Sequence, residues 1–329
     1  MILILTHDKD AHALEVERRL QARGKPFARI SPRDVARGGW LSARTSDDAR
    51  DTLDLTLATS AGIVRARDIE SVWLRRLEAI ENDPLATETW SQYATVEWAY
   101  ALNGLYDAMN ARWLPGRPHD ILGADGKLTQ LARARRAGFR IPDTLLTSNV
   151  EEVFAFHETH RGRIISKLPS STLLEQRGQT FVRFTHRVTR SDLGYLASTL
   201  RRAPCLFQEQ IEKKTELRVT VVGDRVFSAS IDTARNRQCL VDSRRLDTEH
   251  TPHHPFPLDA AVNAKIVDIV RGSGLTYATL DFIVRPDDEL VFLELNPAGQ
   301  YLWIEQLTGL PISEAICDYL VGDVPAQQE

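Results

Sequence analysis

A chain of 329 residues exceeds a typical single domain, so two or three compact units sharing clefts are expected. Its 43% hydrophobic and 26% charged residues suit a globular protein with a full core and exclude a disordered chain; a net charge of -4 makes no electrostatic case for nucleic acid, and no apolar run approaches a membrane span. Three widely spaced cysteines, Cys205, Cys239 and Cys317, argue for reduced thiols in a cytoplasm and against a disulfide framework or a zinc site.

The opening Met1-Ile2-Leu3-Ile4-Leu5 stops at Thr6-His7-Asp8-Lys9-Asp10 without a basic leader or a cleavage-site pattern, so it reads as a buried first strand and not a signal peptide. Residues 2 to 6 form this strand, 11 to 23 (Ala11, Leu14, Val16, Leu20) suit a helix ending at Gly24, and 26 to 30 resume as a strand. A βαβ beginning implies a parallel sheet. The first turn, Thr6-His7-Asp8, lacks a Gly-rich phosphate loop, so nucleotide binding is not assigned here. Val72-Trp73-Leu74-Arg75-Arg76-Leu77 reads as a buried strand ending in two arginines. Residues 90 to 112 carry a long aromatic helix (Trp90, Tyr93, Trp98, Leu102, Leu105, Tyr106, Met109, Trp113) serving as core or dimer contact. The breaker cluster Leu114-Pro115-Gly116-Arg117-Pro118 marks the first domain boundary.

From residue 119 to 205 the chain holds 14 Lys and Arg against 8 Asp and Glu, a local excess of +6, explained by solvated helix faces or by a surface that handles anions. Ala124-Asp125-Gly126-Lys127 precedes a basic helix over 128 to 137, closed by Gly138; its periodicity alone asks no more of Lys127 than exposure. In Arg163-Ile164-Ile165-Ser166-Lys167-Leu168-Pro169, strand alternation puts Ile165 and Lys167 on one face, where the ammonium needs an anion or a route to solvent. Residues 173 to 188 give two amphipathic strands across Gln176-Arg177-Gly178-Gln179, which on their own read equally as a plain solvated hairpin. Cys205-Leu206-Phe207-Gln208-Glu209-Gln210-Ile211-Glu212 is an apolar strand passing into a polar linker.

Residues 216 to 232 form a hairpin turned at Gly223-Asp224, where Gly supplies the positive φ. Pairing across that turn sets Arg218 opposite Ala229, leaving room for a guanidinium that neutralises a transferring phosphoryl group, or else one that pairs with Glu216 or Asp232. His250, His253 and His254 sit in a Pro-rich linker and read as exposed, not metal-binding. A helix over 258 to 271 ends at Gly272-Ser273-Gly274.

The run from Leu280 to Pro297 reads as two strands joined by a Pro286-Asp287-Asp288 turn. A turn centred on Asp287 and Asp288 sets Asp281 opposite Glu294, and alternation adds Asn296 to the same face. Opposed carboxylates about 5 Å apart repel, so the pair needs a counter-charge or must face water. Two carboxylates and an amide carbonyl are hard donors suited to magnesium. A one-residue slip in register would undo the grouping. Ala298-Gly299-Gln300-Tyr301-Leu302-Trp303-Ile304-Glu305 then runs into an amphipathic segment, placing Asn296 at a strand end above a helix start, where ligands collect.

Asp281, the run Phe292-Leu293-Glu294-Leu295-Asn296-Pro297 and the tail Gly299-Gln300-Tyr301-Leu302-Trp303-Ile304-Glu305 resemble the metal-binding strands of ATP-grasp ligases, and in the tail the subgroup that cyclises ribosomal peptides of the microviridin (graspetide) type, related to RimK-like ligases. The resemblance implies an α/β (α+β) three-domain ATP-grasp fold: an N-terminal parallel-sheet pre-ATP-grasp domain over 1–118, a central domain with nucleotide lid and peptide-docking hairpin over 119–205, and a C-terminal domain with the metal site over 206–329. ATP and Mg2+ are the implied cofactors, with ATP between the last two domains. Asp281, Glu294 and Asn296 take the magnesium-ligand roles; Lys127 and Lys167 reach the phosphates; Glu209, Gln210 and Ile211 seat the adenine. Arg218, in the run Glu216-Leu217-Arg218, acts with Lys167 on the transferring phosphoryl group, and Glu216 counts among the cofactor-binding residues.

The same resemblance places Arg183 and Arg187 against acidic side chains of a peptide and Arg244 at the substrate. Two departures stand out: the segment expected to form a Gly-rich flap has only Gly178, and Ser243 replaces an expected aromatic in Asp242-Ser243-Arg244-Arg245. The implied reaction joins Asp or Glu side chains of a ribosomal precursor peptide (leader plus acidic core) to Thr or Ser as esters, or to Lys as amides, through an acyl phosphate. A homodimer is implied; nucleic acid and membrane partners are not. Two other readings are a RimK-like ligase adding an amino acid to a small molecule or protein terminus, and a nucleotide-binding module without turnover.

Overall fold

The computed structural model describes residues 1–45, 54–59, 62–76, 87–169, 174–176, 179–181, 185–232 and 251–323. Leu77, Arg183, Cys239, Arg244 and His250 lie outside the described residues. The chain is a mixed α/β protein with one parallel sheet and several antiparallel ones.

The first half opens with β1 (Ile2–Leu5), α1 (Ala11–Ala22), β2 (Phe27–Ile30), α2 (Pro32–Gly38), β3 (Trp40–Arg44), β4 (Asp54–Thr59), β5 (Gly62–Arg65) and β6 (Ser71–Leu74). It continues with α3 (Glu88–Ala108) and β7 (Arg112–Leu114). The order β2-β1-β6-β7 is parallel throughout, as the βαβ opening requires. Alternation along β1 sends Leu3 and Leu5 to a core with Leu102, Leu105 and Tyr106 of α3, and Ile2 and Ile4 to a second core with Val16 and Leu20 of α1. Asp10 caps α1 by accepting from the His12 and Ala13 amides. The small antiparallel sheet β3-β4-β5 has no counterpart in the sequence reading, because β3 is exposed at almost every position and shows no alternation.

Helix α3 stops at Ala108, short of the expected 112. The Arg112 amide donates to the Glu70 carbonyl and residues 112 to 114 join the edge of β6, so Trp113 is a strand residue that packs edge-on against Tyr106. Trp113 fits a helical spacing in sequence, yet the open sheet edge claims it. Trp90, Tyr93 and Tyr100 of α3 are exposed.

Next come α4 (Pro118–Ala124), α5 (Lys127–Arg136), β8 (Thr144–Thr147), α6 (Val150–Thr159), β9 (Ile164–Lys167), β10 (Leu174–Gln176), β11 (Gln179–Phe181), β12 (His186–Arg187), α7 (Arg190–Thr199) and β13 (Cys205–Glu209). The sheet β12-β9-β13-β8 is antiparallel, and β10 pairs with β11 as the expected hairpin. Val153 of α6 and Leu193 of α7 cover one face by packing on Ile164 and Phe207. Directly paired residues share a face, so Ile165, Lys167, Leu206 and Gln208 lie on the other.

Helix α5 ends as expected at Gly138 (φ 87), with the Phe139 amide donating to Ala134 and the Gly138 amide to Arg135, a Schellman closure.

The last third contains β14 (Thr215–Val222), β15 (Arg225–Ile231), β16 (His253–Pro255), α8 (Ala260–Arg271), β17 (Tyr277–Val284), β18 (Leu290–Asn296), α9 (Leu302–Thr308) and α10 (Ile312–Val321). Its antiparallel sheet has the order β16-β15-β14-β17-β18. Leu217, Val219, Leu280, Phe282 and Leu295 bury one face against Ile266, Val267 and Val270 of α8 and Leu131 and Ala134 of α5. Helix α5 therefore packs on this sheet although it precedes the central one in sequence. The opposite face bears Glu216, Arg218, Asp281 and Glu294.

Candidate active site

The β17–β18 hairpin pairs Asp281 with Glu294 and Thr279 with Asn296, the grouping read from the sequence. The route differs. Val284 pairs with Leu290, which centres the turn on Asp287, and a bulge between Asp281 and Phe282 leaves Leu293 unpaired and restores the Asp281–Glu294 register. On the other side of β17, Arg218 of β14 pairs with Asp281, and with Ala229 across its own hairpin as expected. Arg218, Asp281 and Glu294 thus stand in one row across three adjacent strands.

The opposed carboxylates are held together by cations. One terminal nitrogen of Arg218, Nη1, reaches both Asp281 oxygens at 2.8 and 2.9 Å, and Lys127 Nζ reaches Glu294 Oε2 at 2.8 Å. Arg218 and Asp281 side chains are 13% and 28% exposed, so water screens this pair only in part. Burial raises the Asp281 carboxyl above its ordinary range; the Arg218 guanidinium pulls it down, Glu294 pushes it up, and Lys167 also pulls it down. Burial disfavours the Arg218 cation, yet Asp281 raises its pKa overall. Lys167, half-buried on the open face of the central sheet, belongs to the same electrostatic site.

Gln130, Arg75 and Tyr277, to which the sequence reading gave no role at the site, shape this row. Gln130 of α5, 2% exposed, accepts from the Leu295 amide at 3.0 Å and donates to the Leu295 carbonyl at 2.9 Å. β18 is an edge strand, so this side chain takes the place of a sixth strand between Glu294 and Asn296. Residues 298 to 300, which follow β18, offer three consecutive carbonyls: Arg75 donates to Ala298 at 2.8 Å, Tyr277 to Gly299 at 2.7 Å and Arg218 to Gln300 at 3.1 Å. Gly299 is required by close approach, since a Cβ there would lie 1.7 Å from Thr279 Oγ1. For Arg75 the available signal was the pair of arginines ending β6; for Gln130 there was none.

The donor set fits magnesium. Among the described residues no group of three or more His, Cys, Asp and Glu is poised for a metal, so the candidate site rests on two carboxylates and an amide. Magnesium commonly takes that few protein ligands. Arg218 Nε and Thr279 Oγ1, both buried on this face, have no hydrogen-bond partner among the described residues, as expected where a ligand completes the site.

Most of the other described candidates are held by local contacts. Glu216 accepts from Lys213. Glu209 accepts from the Asp143 amide at 3.0 Å and pairs with Arg140 at 3.5 Å, bracing the end of β13. The Gln210 amide donates to the Arg163 carbonyl at 2.9 Å, and Ile211 is half-buried beyond the strand end. Arg187 is exposed and pairs with Ile165, on the Lys167 face. A cleft of about 610 Å³ beside the end of β13 is lined by Leu128, Leu131, Arg140, Thr144 and Glu209; the Arg218–Asp281–Glu294 row does not line it. No helix among the described residues is long and apolar enough to cross a membrane.

The MvdD pre-ATP grasp domain model matches residues 1–119. A RiPP-associated ATP-grasp ligase from Chryseobacterium gregarium, solved with ADP and a leader and core peptide, is 30% identical, covers 100% of this chain and 98% of its own, and superposes with a TM-score of 0.89. This chain belongs to the RiPP-associated ATP-grasp ligases. Two macrocyclases from Microcystis aeruginosa MRC are also similar. MdnC, solved with the precursor peptide MdnA, is 26% identical over 98% of this chain and 99% of that one (TM-score 0.85). MdnB is 28% identical over 97% and 98% (TM-score 0.80). No curated protein sequence matches the chain. As an ATP-grasp ligase of this family, it shares its whole length with these relatives, from the parallel sheet to the helices that follow the Arg218–Asp281–Glu294 row.

Proposed function

We propose that this chain is an ATP-dependent carboxylate ligase that closes side-chain-to-side-chain ester or amide rings in a ribosomally made precursor peptide with a leader and an acidic core. The observation that carries the reading is the row of Arg218, Asp281 and Glu294 on one sheet face, with Lys127 on Glu294 and the Lys167 charge acting on Asp281: half-buried anionic and cationic groups, with no Ser-His-Asp or Cys-His arrangement among the described residues of the row. Asp281, Glu294 and Asn296 hold magnesium, which when bound supplies charge neutralisation to the nucleotide phosphates. Lys127 and Lys167 bind the phosphates of ATP; Glu209, Gln210 and Ile211 frame the base at the end of β13, and Glu216 is a further cofactor-binding residue.

A peptide carboxylate oxygen attacks the γ-phosphorus and ADP leaves, giving an acyl phosphate. An acceptor hydroxyl or amine then attacks the acyl carbon, loses its proton, and phosphate leaves. Arg218 is suited to the charge that builds on the transferred group, because the Gln300 carbonyl holds its second terminal nitrogen while the first, on Asp281, would be divided between that carboxylate and an incoming anion. Arg187, with Arg183 and Arg244, meets the acidic peptide.

The proposed units are 1–118, 119–205 and 206–329, with α5 of the second packed on the sheet of the third. The exposed Trp90, Tyr93 and Tyr100 of α3 support a homodimer, and the chain's cysteine usage supports a cytoplasmic setting.

Incubation with MgATP and a short acidic precursor peptide should remove one water per ring from the peptide mass, where a ligase that adds an amino acid would increase it. Asp281→Asn and Glu294→Gln should each lower peptide-dependent ADP formation by about two orders of magnitude or more while circular dichroism stays native. Retained turnover in either variant removes the metal assignment.

A further inference from the structure

Arg75 ends β6 on the carboxyl edge of the parallel sheet, in the domain to which neither the sequence reading nor the proposed reaction gives a chemical role. It is 4% exposed, and its guanidinium bridges two directions. Nε lies 3.6 Å from Asp10 Oδ2, and Nη1 donates to the Ala298 carbonyl at 2.8 Å. Asp10 is itself fixed, accepting from Thr6 Oγ1 at 3.1 Å and from the first-turn amides of α1. Arg75 thus transmits the position of the first sheet to the strap of residues 298 to 300. Two residues further along that strap, the Gln300 carbonyl takes Arg218, the arginine that holds Asp281.

We propose that Arg75 is a positioning residue for phosphoryl transfer: from the N-terminal sheet it fixes the 298 to 300 strap, so that the Gln300 carbonyl holds Arg218 at the angle the reacting phosphoryl group needs. The inference rests on the functional reading above. It goes beyond it by giving the N-terminal sheet a direct mechanical link to the site. A free strap would let the Gln300 carbonyl drift and Arg218 with it, and small displacements of a charge-stabilising group cost rate more than binding. Loss of Arg75 should therefore appear in kcat, with little change in KM for MgATP.

The test uses the full chain, MgATP and the acidic precursor peptide. Arg75→Met should lower kcat for ADP formation at least tenfold with KM for MgATP changed less than twofold. On an Arg218→Met background the same substitution should cost nothing further, since the group it positions is gone. Equal losses on both backgrounds, or a loss confined to KM, overturn the proposal. Hydrogen exchange supplies a readout independent of turnover: amides of the 296 to 301 segment should exchange faster in Arg75→Met while those of β1 and β6 stay protected, and an unchanged strap overturns the proposal as well.

Arg75→Met leaves Asp10 without its cation, so Arg75→Lys is the second variant. It keeps the charge beside Asp10 but has one nitrogen where the fork had three, and it cannot serve Asp10 and the Ala298 carbonyl together. It should keep the fold and still lose protection in the strap. If Arg218→Met alone retains turnover, the reading of the active site fails, while the exchange of the strap still decides whether Arg75 holds it.

Discussion

His12 shows how the buried junction beside the site responds to pH. It is 9% exposed, and its ring meets Tyr301 edge-on at 4.8 Å. Burial, then the Arg75 cation, push its pKa down to about 4, with Arg76 adding to the fall and Asp10 opposing it. The folded form therefore stays neutral at pH values where the unfolded chain takes a proton. Stability is fully present above the unfolded pKa near 6.5 and is lost as pH falls through the window down to about 4, at a slope approaching 1.4 kcal/mol per unit. Between about pH 7.5 and about pH 5 the loss should amount to roughly 2 kcal/mol. His12→Phe removes the titrating group, so urea unfolding should show a flatter pH dependence in that variant across this range. Identical slopes in the two proteins contradict the assignment. None of this was legible in the sequence, where His12 is an ordinary polar residue in the first turn of a helix; its burial comes from Tyr301, which is 289 positions away.

The elements around the site divide into those that local pattern determines and those that only packing reveals. Asp281 opposite Glu294 was readable because strand alternation and a turn signal are local, although the observed turn is centred on Asp287 and not between Asp287 and Asp288, which shifts the pairing next to it by one residue until the bulge at Leu293 compensates. The Arg218–Ala229 pairing was readable for the same reason. The partners of these carboxylates were not: sequence argued for a metal as the counter-charge, and the fold brings Lys127 and Arg218 to them from α5 and β14.

Gln130 marks the limit of such reading, since nothing local announces that one face of α5 will abut an edge strand. Its amide serves both backbone groups of Leu295 and also donates to the Ala124 carbonyl at 2.8 Å. Gln130→Leu keeps the volume but leaves the Leu295 amide and carbonyl without partners between two proposed ligands. A buried unsatisfied group costs about 1–3 kcal/mol, so a loss of roughly 2–4 kcal/mol in chemical denaturation is expected, together with weaker magnesium-dependent nucleotide binding. A change below about 0.5 kcal/mol would show that the side chain is not holding the strand.

At the scale of the whole molecule, the first sheet is completed by the other end of the chain. The face of β1 and β6 that carries Ile2, Ile4 and Trp73 forms one core with Val16 and Leu20 of α1 and with Tyr301, Ile304, Ile312, Ile316 and Leu320. Around it, Ser71 Oγ donates to the Leu320 carbonyl at 2.7 Å, Arg19 pairs with Glu305 and Glu314 at 2.9 Å each, and Arg23 pairs with Asp318 at 2.9 Å. These ion pairs are part-buried and still reached by water, which limits what they add, so the apolar contact is the term that counts. Each large apolar side chain buried there contributes about 1.5–3 kcal/mol, against a net stability of about 5–15 kcal/mol for a typical domain. Residues 1–118, although a family model matches almost the same stretch, should therefore not fold alone. The isolated fragment should lack a near-ultraviolet dichroism signal from Trp73 and Trp113, bind a hydrophobic dye and melt without cooperativity. Adding α9 and α10 through a short linker should restore a cooperative transition, because those two helices supply the missing wall of the core. A sharp two-state melt of 1–118 by itself would show that the sheet holds its own core, and that its contact with the C-terminal helices is docking, not folding.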